Sequence, residues 1–177
     1  MLASVIRQLT VLGLVVALGN NSAHSHPSFF TPWGGRMTLE ISSTETNGAS
    51  STLRVESSPG YGPRAHIHAR EDETYVVARG HFRFWSGTHV VDAMPGSVIF
   101  LPRNEPHQWL NVGKTTGELI FTIVPGGLDR FFLEVSKRGL RLPKDRAVMD
   151  RIQAKYGIHP VPSLSSSASK KQRSHAN

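Results

Sequence analysis

Four side chains that could share one metal ion constrain this chain more than any other feature of its sequence. His66 and His68 lie two residues apart, Glu73 follows shortly afterwards, and His107 comes later in the chain. On a β-strand, side chains two residues apart leave the same face. With Glu73 beyond a short turn and His107 on a later strand, three imidazoles and one carboxylate can converge on one point. This donor set suits a divalent transition metal, because calcium and magnesium prefer oxygen ligands.

The residues around these four resemble the two signature motifs of the cupin superfamily. The resemblance covers roughly residues 36–126 and departs at one position, where Asn104 replaces the usual glycine. Asparagine tolerates a left-handed turn better than most residues, so we expect the turn to survive. The matching positions are Gly60, His66, His68, Glu73 and Gly80 in the first motif, and Gly96, Pro102, His107 and Asn111 in the second.

The strand pattern indicates an all-β domain. Short segments with a two-residue period, such as the one that places Glu73, Tyr75 and Val77 on one face, are separated by Gly and Pro turns. This pattern is typical of a sandwich or a barrel. The pattern alone leaves these two architectures open. The cupin resemblance implies a double-stranded β-helix, that is, a jelly-roll cupin barrel over residues 36–126, preceded by a linker over residues 20–35.

The hydrophobic period changes to that of helices after Gly127. We expect a helical extension over residues 127–162, with one helix ending near Gly139 and a second over residues 145–156. A short strand near Ile158 is expected to follow. We expect Phe131 and Phe132 to cap the barrel core, with a lid over a substrate as the alternative. This ending also resembles the tail of single-domain cupins similar to quercetin dioxygenase.

Several other side chains are candidates for binding a substrate. Arg64 precedes His66 by two residues, so it either binds a carboxylate or phenolate or lies at the barrel rim in water. Glu73 is the candidate catalytic residue, as a metal ligand and as a base toward a substrate hydroxyl. Four aromatic residues either pack against a flat ligand or belong to the core: Tyr75, Phe84, Trp109 and Phe121.

The motif resemblance implies one divalent transition metal, and the ligand set accommodates iron, manganese, nickel, copper or zinc. Three functions stay open at this point. The first is a dioxygenase, similar to quercetin dioxygenase, that acts on a small enolic or aromatic compound. The second is a redox-neutral isomerase, cyclase or decarboxylase, and the third is a non-catalytic protein that binds a metal or a small ligand.

The first residues of the chain have the pattern of an export signal. Arg7 precedes an apolar run over residues 8–19, and Ala17-Leu18-Gly19 is an acceptable cleavage site. The run is short for a bilayer span. We therefore expect a signal peptide over residues 1–19 and a secreted or periplasmic protein without a membrane span after cleavage. An uncleaved anchor or a misassigned start is the alternative.

The basic charge belongs to the end of the chain. Residues 1–126 carry nine basic and nine acidic side chains, whereas residues 127–177 carry eleven basic and four acidic ones. Residues 163–177 are rich in Ser and Lys, which predicts a disordered, solvated tail. No nucleic-acid motif accompanies it, so we expect a small-molecule partner and no nucleic acid. A homodimer stays open.

Overall fold

The computed structural model of the protein describes residues 27–32 and 35–164. In this part of the chain the structure consists of β-strands followed by a pair of helices. In chain order the elements are β1 Ser28–Thr31, β2 Gly35–Ile41, β3 Ser51–Ser57, β4 His66–His68, β5 Asp72–Arg79, β6 Phe82–Ser86, β7 His89–Ala93, β8 Val98–Leu101, β9 His107–Asn111, β10 Gly117–Val124, α1 Asp129–Lys137, α2 Arg146–Lys155 and β11 Ile158–Pro160.

The strands form two antiparallel sheets that enclose one core. One sheet has the order β1-β2-β3-β10-β5-β8 and the other the order β11-β4-β9-β6-β7. Side chains alternate between the core and the outside: on β5, Glu73, Tyr75 and Val77 are buried, whereas Val76 is exposed. This two-residue period is the one expected of strands with one buried face. The all-β jelly roll that the sequence predicts is confirmed.

Two helices follow the barrel, as predicted, with slightly shorter bounds. Phe131, Phe132 and Val135 of α1 are buried, and so are Met149 and Ile152 of α2. These residues join the same hydrophobic core as the strands. The helices are therefore packed onto the barrel and contribute to its interior.

The end of α2 returns the chain to the strand that carries two of the histidines. Gly157 has a φ of 74° and follows the helix as a left-handed C-terminal residue, as its sequence position predicts. The chain then enters β11, where Ile158 lies opposite His68 and Pro160 opposite His66. The expected short strand near Ile158 is thus an edge strand of the smaller sheet.

Two details of the sequence interpretation need correction. The segment predicted as a linker over residues 20–35 contains β1, which pairs with β2 from Ser28 opposite Thr38 to Thr31 opposite Gly35. The serine and phenylalanine residues there, near two prolines, show no clear alternation of polar and apolar side chains. The strand was therefore not predicted. Arg64 was expected on the same strand as the histidines, but β4 begins only at His66.

The predicted signal peptide at residues 1–19 and all but the first two residues of the predicted tail at 163–177 lie outside the described residues. Neither α1 nor α2 is long and apolar enough to cross a membrane, and no other helix occurs in the part of the chain that the structure describes.

Candidate metal centre

The four predicted metal ligands come together inside the barrel. β4 supplies His66 and His68, β5 supplies Glu73, and β9 supplies His107. One candidate ligand atom from each residue lies within 4.8 Å of those of the other three. His66 lies directly opposite His107 in the pairing of β4 with β9. We call these four residues the donor quartet.

Distances within the donor quartet suit a shared ion. His66 Nε2 lies 3.1 Å from His68 Nε2. The two oxygens of Glu73 lie 3.6 Å from His68 Nε2 and 3.5 Å from His107 Nε2. His68, Glu73 and His107 are 1–2% exposed, whereas His66 is only partly buried. His66 is therefore the most accessible member of the quartet.

Backbone carbonyl groups orient two of the imidazoles. His66 Nδ1 lies 2.7 Å from the carbonyl oxygen of Arg64, and His107 Nδ1 lies 3.0 Å from that of Glu105. A carbonyl oxygen only accepts hydrogen bonds, so both Nδ1 atoms carry the proton. The Nε2 lone pairs of both rings then face the centre, as in metal-bound histidines.

The nitrogen His107 Nε2 is a direct sign that the quartet fits a metal. It is buried and has no hydrogen-bond partner among the described residues. A buried polar atom without a partner is costly unless a ligand satisfies it. Three imidazole nitrogens and one carboxylate form a donor set that divalent transition metals accept. The chemistry of the residues therefore fits such an ion, while its identity stays open.

Burial keeps the imidazoles in the form that binds metals. Burial, together with the neighbouring rings of His68 and His107, lowers the pKa of His66 to about 3. Burial also lowers the pKa of His68, against the attraction of Glu73. Both rings are therefore neutral near pH 7, and their lone pairs are available.

Glu73 is held as a carboxylate by its neighbours. Burial alone would raise its pKa, but the surrounding imidazoles overcome that effect and the pKa of Glu73 falls to about 2. Tyr75 donates its hydroxyl proton to Glu73 Oε2 at 3.1 Å. Burial and this carboxylate raise the pKa of Tyr75 well above its ordinary value, so Tyr75 is a neutral donor. The quartet thus offers one negative charge.

A second carboxylate lies behind the quartet. Glu71, in the turn between β4 and β5, is 7% exposed. Its Oε2 lies 3.9 Å from His68 Nδ1, and neither atom has a hydrogen-bond partner among the described residues. Burial raises the pKa of Glu71, although Arg70 opposes the shift. Sequence analysis did not single out Glu71, because acidic residues in turns are usually solvated.

The motif residues that are not candidate metal ligands stabilise the turns around the quartet. Asn104 has a φ of 63°, so the residue that departs from the cupin pattern still forms the left-handed turn we expected. Its backbone N–H donates to the carbonyl of His68 at 2.8 Å. Asn111 is fully buried, and its amide donates to the carbonyls of Ser57 and Thr115. These contacts fix the loops that flank β4 and β9.

A cavity of about 370 Å³ opens onto the donor quartet. Four of the five predicted substrate-binding residues line it: Arg64, Tyr75, Trp109 and Phe121. Phe84 does not line this cavity. Its ring lies behind Tyr75, at 5.5 Å between centroids, and only 1% of the residue is exposed. The alternation along the strand correctly predicted that Phe84 points into the barrel. It did not predict that Phe84 lies behind Tyr75.

The remaining wall of the cavity comes from the helical extension. We call these lining residues the helical wall; they are Phe131, Phe132, Leu142, Pro143, Arg146, Met149 and Gln153. Phe132 lies 6.1 Å from Phe121 and 5.1 Å from Phe131 between ring centroids. The sequence interpretation placed Phe131 and Phe132 in the core. They do belong to it, but they also face the cavity.

The comparisons with known proteins agree with this architecture. Residues 53–123 match the family model of the cupin domain. That match covers the strands from β3 to β10, which carry the whole donor quartet. No curated protein matches the chain closely enough in sequence to count as a relative.

Solved structures with the same fold include three that align with more than half of the chain. KdgF from Halomonas sp. is 17% identical, with a TM-score of 0.53, over 59% of this chain and 93% of its own. An RmlC-like cupin from Shewanella frigidimarina is 19% identical, with a TM-score of 0.52, over 60% and 89%. A predicted oxalate decarboxylase from Thermotoga maritima is 26% identical, with a TM-score of 0.50, over 56% and 91%.

The family match over residues 53–123 and the shared fold show that the barrel is similar to cupin domains. The dioxygenase subtype suggested by the sequence does not follow from them.

Proposed function

We propose that the protein is a metal-dependent cupin enzyme that adds dioxygen to a small enolic or aromatic compound. One observation carries the proposal: three members of the donor quartet, His66, His68 and Glu73, line a largely apolar cavity. Four protein ligands leave coordination positions free for small molecules. The cavity of about 370 Å³ is the size of a small-molecule site.

The chain's own residues divide the work within this site. His66, His68, His107 and Glu73 hold the metal, which when bound supplies Lewis-acid or redox chemistry. Tyr75 and Phe121 stack at 4.8 Å between ring centroids, and Trp109 meets Tyr75 edge-on at 6.4 Å. These rings give a flat substrate an apolar surface to pack against and exclude water from it.

Glu73 has a second role in this proposal, as the group that takes a proton from the substrate hydroxyl. It is a carboxylate near neutral pH and already accepts a hydrogen bond from Tyr75. Tyr75 keeps one oxygen of the carboxylate in place while the proton moves. An enolic or phenolic hydroxyl suits the site, because it becomes an anion that the metal can bind.

Oxygen uptake tests the dioxygenase directly. The protein is loaded in turn with iron, manganese, nickel, copper or zinc and mixed with flavonols and other enolic compounds in an oxygen electrode. We expect uptake with at least one metal and one enol, and none with the metal-free protein. Product formation under nitrogen at the same rate as in air would contradict dioxygenation.

A redox-neutral reaction, in particular a decarboxylation, is the second candidate. The observation that favours it is the similarity to the structure described as a predicted oxalate decarboxylase, at 26% identity. This reaction releases carbon dioxide without consuming dioxygen, so the same reaction mixtures under nitrogen distinguish it. Tight ligand binding with no product in either atmosphere would indicate a binding protein.

We further propose that the protein acts outside the cytoplasm. The proposal rests on Arg7 and the apolar run over residues 8–19, which have the order of an export signal. Mass spectrometry of the exported protein should give a mature N-terminus between Asn20 and His26. Recovery of the chain from Met1 in a soluble intracellular fraction would contradict it.

A further inference from the structure

Two cationic side chains face the cavity that contains the donor quartet. Arg64 precedes β4, and Arg146 is the first residue of α2. Among the described lining residues Glu73 is the one carboxylate, and it belongs to the donor quartet. The cavity wall therefore carries two positively charged side chains that do not belong to the donor quartet.

Neither guanidinium is held in a hydrogen-bonded ion pair among the described residues. Arg64 is exposed, and within residues 27–32 and 35–164 its side chain forms no ion pair. Arg146 lies 3.9 Å from Asp150, which is beyond hydrogen-bond distance, and its side chain is 33% exposed. Both groups therefore keep N–H donors that an anion can use, although Arg146 also lies in a long ion pair with Asp150. A guanidinium presents donors in a planar fork that matches a carboxylate.

The wall around these charges is apolar and aromatic. Pro32, Met37, Phe131, Phe132, Leu142 and Met149 contribute to it. An inorganic anion would leave this surface without a partner, and a neutral aromatic compound would leave the two arginines without one. A ligand with a flat apolar body and one acidic group satisfies both kinds of surface.

We propose that the substrate is a small aromatic or enolic carboxylate, whose acidic group binds Arg64 and Arg146 at the cavity mouth. This inference rests on the proposed function, since it names the substrate class of the same site. It gives the helical extension a role in selecting the substrate. Arg64 comes from the barrel and Arg146 from α2, so the acidic group is held between the two parts of the chain.

Binding of naphthoate and of its neutral isostere naphthamide tests the substrate class. Isothermal titration with metal-free protein removes direct coordination of the carboxylate by a metal. We expect naphthoate to bind at least about tenfold more tightly, the lower end of what charge-assisted hydrogen bonds contribute. Arg64→Gln and Arg146→Gln should each weaken naphthoate by about tenfold and leave naphthamide unchanged.

The matched control is Arg151→Gln, an exposed arginine of α2 that does not line the cavity. It should leave the affinities of both compounds unchanged. Equal affinities for the two compounds, no binding of either, or equal losses for both in the arginine variants would overturn the inference. Because these titrations need neither metal nor turnover, their failure is distinct from a failure of oxygen uptake by the metal-loaded protein.

A second inference comes from a different observation, the two unpartnered atoms behind the donor quartet. His68 Nδ1 and Glu71 Oε2 are buried and lie 3.9 Å apart, and neither has a hydrogen-bond partner among the described residues. Carbonyl groups perform the orienting role for His66 and His107. His68 has no such carbonyl at its Nδ1, and the carboxylate oxygen near that atom is Glu71 Oε2, at an ion-pair distance of 3.9 Å.

We infer that Glu71 is the positioning residue of His68 and keeps its Nε2 turned toward the metal. A carboxylate in this role fixes the tautomer of the ring and raises the affinity of the site for its ion. An unpaired buried carboxylate is costly in the absence of metal. Glu71 should therefore increase metal affinity without stabilising the metal-free fold.

Cobalt titration and thermal unfolding of the metal-free protein separate this role from a structural one. Glu71→Leu should weaken Co²⁺ binding by about 10–100-fold, the usual cost of losing such a partner, and should not lower the unfolding temperature of the metal-free protein. Glu71→Gln keeps an acceptor and should lie between wild type and Glu71→Leu. Glu56→Leu, on the barrel wall, is the control and should bind Co²⁺ as wild type does.

Unchanged Co²⁺ affinity in Glu71→Leu, or a lower unfolding temperature of the metal-free variant without a change in affinity, would overturn the inference. If Glu71→Leu does not fold, Glu71→Gln decides the question. Co²⁺ binding in that variant as tight as in wild type then counts against a positioning role.

Discussion

The donor quartet and the helical wall enclose the same cavity, but different forces hold them. Around the quartet, polar atoms are placed by directional contacts such as His66 Nδ1 to the carbonyl of Arg64 at 2.7 Å. Along the helical wall, Phe131, Phe132 and Met149 are placed by apolar packing. Directional contacts tolerate little displacement, whereas apolar packing accepts many shapes of similar volume. We therefore expect the strands to supply the chemistry and the extension to contribute to the choice of substrate.

The largest expected effect is the loss of one imidazole from the quartet. His107→Ala removes a buried ligand nitrogen that has no other partner among the described residues. Metal affinity should fall by more than about 100-fold, because even the loss of an orienting partner costs up to that much. Elemental analysis after dialysis should find no metal. His159→Ala, an exposed histidine on β11, should retain the wild-type content.

Glu73→Gln should have a smaller effect on metal and a large one on turnover. The amide keeps the size and one oxygen of the side chain but loses its charge, so part of the metal should remain. Reaction rates should fall by about 100-fold or more, the usual contribution of a positioned base. Oxygen uptake per bound metal measures this. A rate per metal equal to that of wild type would show that Glu73 is a ligand only.

Phe132→Ala tests the other side of the comparison. The ring is 8% exposed and packs against Phe121 and Phe131. Its removal should lower the free energy of unfolding by about 3 kcal/mol and enlarge the cavity, while metal content stays unchanged. Urea unfolding and elemental analysis report both quantities. Phe30→Ala, at an exposed position, should change stability by less than about 0.5 kcal/mol.

The smallest expected effect is a loss of stability at acidic pH, at the contact between the two helices. Glu134 accepts hydrogen bonds from Lys155 at 2.6 Å, from Arg138 at 2.8 Å and from Tyr156 at 3.0 Å. Lys155 first, then Arg138, lower the pKa of Glu134 to about 2. A lowered carboxyl pKa stabilises the folded state above the ordinary pKa, and this stability is lost as the pH falls through the folded value.

The contribution of Glu134 should therefore be complete above about pH 4.5 and decline toward about pH 2. Wild type and Glu134→Gln should differ in unfolding temperature at pH 7 and converge over that range. A difference between the two proteins that does not depend on pH would show that the carboxylate charge is not responsible.

The donor quartet was predictable from the sequence because the spacing of residues within two short motifs identifies its members. His66 and His68 share a strand, and motif spacing set Glu73 and His107 relative to it. The left-handed conformation at Asn104 was predictable because this residue replaces the motif glycine and asparagine tolerates such a turn. The barrel was predicted from the same motifs, because their resemblance to the cupin motifs implies a jelly roll.

Other parts of the site were not predictable because they depend on packing between distant elements. Arg146 and Met149 reach the cavity only through the way α2 lies on the barrel, and no local pattern encodes that contact. The burial of Phe84 behind Tyr75 depends on depth within the barrel, which strand alternation does not give. Glu71 is recognisable only once its distance to His68 is known.

Anomalous diffraction from crystals of the metal-loaded protein tests the donor quartet most directly. We expect one strong peak per chain, bonded to the Nε2 atoms of His66, His68 and His107 and to Glu73, at about 2.0–2.2 Å. Two directional features support this expectation, the carbonyl partners of Nδ1 on His66 and on His107. A peak at another group of residues, or bonds through the Nδ1 atoms, would contradict the assignment of these four residues as the metal site.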